Sequence, residues 1–174
     1  MTEKPIYVLE RIFDAPRDLV WKAWTDPALL PNWYGPRVDT TIHQLDLEPG
    51  GLWLLEMNWG GQSHFQRAEY TEVTPPERLV WLHSSADAAW NIIASPMMPD
   101  WPKTLLTTVT FEETPGEETD AKTLVRLTWV PFEASAAEIA CFAAAIDGMG
   151  KGWESGMALL ADLLSELQST AAAS

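Results

Sequence analysis

Cysteine and positive charge are scarce in this 174-residue chain. The one cysteine, Cys141, rules out an internal disulfide or a cysteine-built metal cluster. It stands between Ala140 and Phe142 in an apolar stretch, the setting of a buried, inert thiol. Eleven Lys and Arg against twenty-five Asp and Glu leave a formal charge of −14. Such a chain repels phosphate backbones and anionic headgroups, so neither nucleic acid nor a membrane is expected as a partner. No apolar run nears the eighteen or so residues that span a bilayer, and the opening residues lack a signal-peptide core. A cytoplasmic setting is expected. The acidity is densest at Glu112, Glu113, Glu117, Glu118 and Asp120, read as a solvated hairpin tip.

Catalytic signatures are missing too. There is no G-x-S-x-G elbow, phosphate loop or dinucleotide fingerprint. His43, His64 and His83 fall on separate predicted strands without metal-ligand spacing, so neither metal nor cofactor is expected.

What the chain has in excess is tryptophan, ten residues of it, within a 47% hydrophobic composition. At this length roughly 70% of the unfolded surface is buried on folding, enough for one full core. The reading is a single domain over 1–168 with a frayed tail at 169–174.

Residues 6–13 are rich in β-formers and end at Asp14-Ala15-Pro16, where a proline suits a helix start. A helix follows with Leu19, Val20, Ala23 and Trp24 on one face, and Asp26-Pro27 opens a second short one reaching Trp33. From Arg37 the period changes to two, predicting strands near 38–47, 52–59, 63–73, 78–84, 104–113 and 122–130. Ser135-Ala-Ala-Glu138 has capping-box spacing and opens a final helix. In it Trp153, Met157, Leu160, Leu164 and Leu167 form an apolar stripe, beside a second stripe of Gly148, Gly152 and Gly156. Each interior glycine costs a helix about 1 kcal/mol relative to alanine. Close packing by the sheet or room for a ligand would account for them.

Several motifs then coincide: Arg11-Ile-Phe-Asp-Ala-Pro16, Val20-Trp21-Lys-Ala-Trp24-Thr-Asp-Pro27, Trp33-Tyr-Gly-Pro36, Pro49-Gly-Gly-Leu-Trp53, Tyr70 through Val80, Thr108-Val-Thr-Phe111 and Met149-Gly-Lys-Gly-Trp153. In this order the chain resembles the single-domain bacterial proteins related to the C-terminal domain of the Hsp90 ATPase activator, within the START-like, polyketide-cyclase-like superfamily. The resemblance implies an α+β helix-grip fold: a curved antiparallel sheet of about seven strands around a long C-terminal helix, with two short helices after strand 1 and a cavity between sheet and helix. It implies no single activity, since fold and function are separable. The separate N-terminal domain of the eukaryotic activator has no counterpart here, which weakens a chaperone partner.

Strand phase supplies the expected lining. Trp53, Leu55, Met57 and Trp59 share the more apolar phase, and Ala68, Tyr70, Trp81, Val109, Phe111, Leu127 and Trp129 follow by the same test. With Met149, Gly152, Trp153, Gly156 and Met157 from the helix, they predict a site for a small hydrophobic ligand anchored by Tyr70, His83 and either Glu72 or Gln66. The apolar segment 85–103 supplies a lid: Trp90, Met97, Met98 and Trp101. An alternative is a cyclase, dehydratase or hydrolase in which His83, Tyr70 or Glu72 moves a proton. Chaperone stimulation is a third reading, and the open edges of the sheet leave a homodimer open.

Overall fold

The computed structural model describes residues 5–34, 38–95, 98–114 and 122–173. The lid residue Met97 and the acidic residues Glu117, Glu118 and Asp120 lie outside the described residues.

Seven strands form one antiparallel sheet: β1 (Tyr7–Phe13), β2 (Asp39–Leu45), β3 (Leu52–Trp59), β4 (Gln62–Thr74), β5 (Arg78–Ala86), β6 (Thr104–Glu113) and β7 (Thr123–Pro131). Their spatial order is β1-β7-β6-β5-β4-β3-β2, a meander to whose far side β1 has been added. Helix α1 (Arg17–Thr25) and a 3-10 turn (Leu30–Asn32) follow β1, and helix α2 (Ala136–Ala173) closes the chain. This is the expected helix-grip architecture. Among the described residues no helix is long and apolar enough to cross a membrane.

The capping box forms as its spacing predicts: the Glu138 backbone N–H donates to Ser135 Oγ at 3.1 Å, and the Ser135 N–H to Glu138 Oε1 at 3.3 Å. Helix α2 then runs unbroken through its glycines. Its buried stripe is Phe142, Met157, Leu160 and Leu164, with Met149 and Trp153 half-buried against the same core.

The short helices do more than connect. Val20, Ala23 and Trp24 of α1 and Leu30 of the 3-10 turn are fully buried, and Trp33 Nε1 donates to the Ala23 carbonyl at 3.0 Å. Trp24 lies 4.6 Å from Trp33, 6.0 Å from Phe111, and 6.4 Å from both Trp81 and Trp153, ring centroid to centroid. Tyr34 adds edge contacts to Trp53 and Trp153. Each such ring withdraws roughly 150–250 Å² from water, about 4–6 kcal/mol of gross hydrophobic stabilisation. Aromatic side chains from α1 and the 3-10 turn thus plug one end of the space between sheet and α2.

Candidate functional site

The plug decides where open space remains. Phe111, at the C-terminal end of β6, packs against Trp21 of α1, whereas Leu105, at the other end of β6, faces a cavity of about 400 Å³. Its floor is the inward face of the sheet at the outgoing end of β5. Trp59 of β3, His64 and Gln66 of β4, His83 and Ser85 of β5, Leu105 of β6 and Trp129 of β7 all contribute. The segment after β5 supplies the cover through Asp87, Ile93, Ser95, Trp101 and Lys103. Trp101 is braced from behind by the buried Phe142 of α2, with ring centroids 5.5 Å apart. The walls are therefore aromatic at both flanks and polar across β4 and β5.

Two of the proposed anchors behave differently from their strand phase. A β-bulge between Tyr70 and Glu72 inserts one residue, so Glu72 pairs with Val80 and Val73 with the inward Leu79. The extra residue reverses the face. Glu72 turns to the outer surface and pairs with Arg78, Oε2 to Nε, at 2.9 Å. Its expected inward position is corrected by that bulge. Tyr70 does point inward, but it is only 1% exposed and its hydroxyl has no partner among the described residues. Burial pushes its pKa up, which keeps the phenol neutral.

His83 stands on the cavity floor, tilted against Trp129 with ring centroids 5.8 Å apart. Loss of water pushes its pKa down to about 4, so the imidazole is neutral at physiological pH. Of the three acid-base candidates only His83 reaches the cavity, and the pairing a proton-transfer mechanism needs is not assembled.

The remaining expected lining residues divide along the same line. Trp53 and Trp81 are 1% exposed, Met157 likewise, and Met57 7%, all within the filled core. Trp129 lines the cavity, and Trp153 stacks over Trp24 in the plug. Met149 packs on the core from α2, Gly156 is buried, and Gly152 is described only as a helical residue. The glycine stripe does not mark a close approach throughout: a Cβ at Gly148 would meet nothing within 4 Å. At Gly150, by contrast, it would lie 3.3 Å from the Tyr7 hydroxyl.

The lid is also split. Trp101 covers the cavity, whereas Met98 is 42% exposed. Trp90 sits on the opposite face of the sheet, edge-on to His43 and Phe65, with its carbonyl accepting from Arg67 Nη1 at 3.2 Å. It adopts a left-handed φ of 67° there, inside a turn organised by Asp87, whose carboxylate accepts from the Ala89 and Asn91 backbone N–H groups.

Strand phase places Trp59 inward and offers Gln66 as a polar option; it does not single out His64, nor Ser85, Ile93 and Lys103 within the segment 85–103 that it reads as a lid. The missed signal was the run Trp24, Trp33, Tyr34. Three large rings on the short helices needed a place to be buried, and the space beside Trp153 was the available one.

Comparison with known proteins agrees with this architecture. The model of the family described as Activator of Hsp90 ATPase homolog 1-like protein matches residues 14–165. The chain belongs to that family. A solution structure from Staphylococcus epidermidis is 25% identical, covers 95% of this chain and 93% of its own, and superposes with a TM-score of 0.74. Protein Ms6760 from Mycobacterium smegmatis is 23% identical with a TM-score of 0.70, covering 92% of this chain and 91% of its own. A protein from Arthrobacter aurescens gives 22% and 0.72 over 94% of this chain and 87% of its own. At this identity the likeness of the last two shows the fold alone. No protein of curated function matches the chain. For this family member the family fixes the fold and the START-like relationship, and the ligand has to be argued from the cavity.

Proposed function

We propose that this family member binds a small, largely apolar ligand in the cavity at the outgoing end of β5. The observation that carries this reading is the cavity itself. A recess of about 400 Å³ remains beside a core packed with aromatic rings, and it is walled by Trp59, Ile93, Trp101, Leu105 and Trp129. Close packing is the default of protein interiors, so a maintained recess of that size, lined by rigid apolar groups with a few polar ones, matches ligand sites better than accidental voids. The polar groups fix orientation, while the apolar walls supply the free energy.

N-phenyl-1-naphthylamine is a suitable neutral probe, since its emission rises on leaving water. Saturable 1:1 enhancement is expected, accompanied by quenching of tryptophan emission from the indoles in the wall. Ser95→Trp places an indole within the recess and abolishes the signal while leaving the fold intact by circular dichroism. Absence of saturable binding, or undiminished binding in the folded Ser95→Trp protein, refutes the reading.

A further inference from the structure

We propose that the cavity selects flat ligands carrying a neutral hydroxyl or carbonyl edge, read by Gln66, His83 and Ser85; this rests on the ligand-binding reading above.

The sheet register brings these three side chains together. Gln66 lies directly opposite Ser85 across β4 and β5, and His83, opposite Ala68, is the next inward residue along β5. Direct and diagonal neighbours of this kind are about 4.5–8 Å apart, the span of one substituted ring. On one side the floor continues to His64 stacked on Trp59, and on the other to Leu105 with Trp129. The result is a polar strip flanked by aromatic and aliphatic walls and covered by Trp101 and Ile93, with Asp87, Ser95 and Lys103 at the rim.

None of the three carries charge at neutral pH. The His83 ring, kept neutral by burial, offers one N–H donor and one bare acceptor nitrogen, and the Ser85 hydroxyl rotates to give or accept. The Gln66 amide oxygen is shut off from water and has no partner among the described residues, a condition that costs about 1–3 kcal/mol. A half-turn of the amide presents either its oxygen or its nitrogen. Such a strip complements a hydroxyl or a carbonyl and gains nothing from plain hydrocarbon.

Charged groups on the wall are fewer. The Asp87 carboxylate is occupied by the N–H groups of its own turn. Lys103 also borders the cavity, its charge acting on the nearby Glu138 carboxylate as well, so a carboxylate ligand is the competing class.

Calorimetric titration of the full chain at pH 7 with naphthalene, 2-naphthol and 2-naphthoate separates these classes on one ring system. Water favours 2-naphthol over naphthalene, so simple partitioning predicts weaker binding of the alcohol. The polar strip instead predicts at least about tenfold tighter binding of 2-naphthol, the factor that 1.4 kcal/mol supplies. Gln66→Leu keeps the side-chain volume and brings 2-naphthol to within about twofold of naphthalene. Ser85→Ala, a smaller perturbation, lowers 2-naphthol binding in the same direction. Equal affinity for 2-naphthol and naphthalene, or an unchanged ratio in both variants, overturns the proposal while the cavity remains a binding site. Preference for 2-naphthoate overturns it in favour of Lys103. Failure of all three compounds, together with N-phenyl-1-naphthylamine, refutes ligand binding altogether.

Discussion

Acidification tests the environment of His83 directly. Folding lowers its pKa from the ordinary 6.5 to about 4, because the imidazolium would lose its water on the cavity floor. Below pH 6.5 the unfolded chain therefore takes up a proton that the folded chain refuses. Stability is fully present above the unfolded value and is lost as the pH falls from 6.5 towards 4. At pH 5 the expected loss from this residue is about 2 kcal/mol, and at pH 4 about 3 kcal/mol. The recess is open on one side to solvent, which screens the imidazolium, so both figures are upper values. With a urea dependence of about 2 kcal/mol per molar for a domain of this size, the unfolding midpoint should fall by up to about 1 M between pH 7 and pH 5. The control is His83→Phe, which keeps a ring in place and removes the proton site. Its midpoint should be much flatter over the same interval. The carboxylates of Glu56, Asp87 and Glu138 are held below their ordinary values by hydrogen bonds and add their own losses, but at lower pH. Equal pH dependence in the wild type and in His83→Phe would refute the reasoning, as would an NMR titration placing the His83 pKa near 6.5.

Two other predictions concern α2. Gly148→Ala should raise stability by about 1 kcal/mol in thermal or urea unfolding, because the added methyl meets nothing within 4 Å and the helix gains propensity; Gly150→Ala, whose methyl would press on the Tyr7 hydroxyl at 3.3 Å, should gain less, and the reverse order would contradict the packing described here. Ser135→Ala removes the hydroxyl that accepts the Glu138 N–H and should cost about 1 kcal/mol, lowering Tm by roughly 2–4 °C in calorimetry; an unchanged Tm would mean the cap contributes nothing to the folded state.

Much of the fold was legible because its causes are local. Alternation in Leu52–Trp59 and Thr104–Glu113 requires only that one face of each strand be dry. The Ser135–Glu138 cap requires two side chains three residues apart. Glu72 was not legible, since a bulge adds one residue to one strand only and leaves no mark in a period-two pattern read from that strand alone. Trp90 was not legible either. Its segment leaves β5 at a strand end, from which either face of the sheet can be reached, and Arg67, His43 and Phe65 hold it on the outer one.

The sequence by itself determined the seven strands, the capped C-terminal helix and its Trp, Met and Leu stripe, because periodicity and capping act over a few neighbouring residues. Only the tertiary structure decided which part of the space beneath that helix is filled. That outcome is a sum of volumes from distant segments: Trp24, Trp33 and Tyr34 occupy the end near Trp153, and Trp101 roofs the end near His83 without filling it. Side-chain volume is written at each position, but the place where volumes meet is set by register, bulge and crossing of elements far apart in the chain.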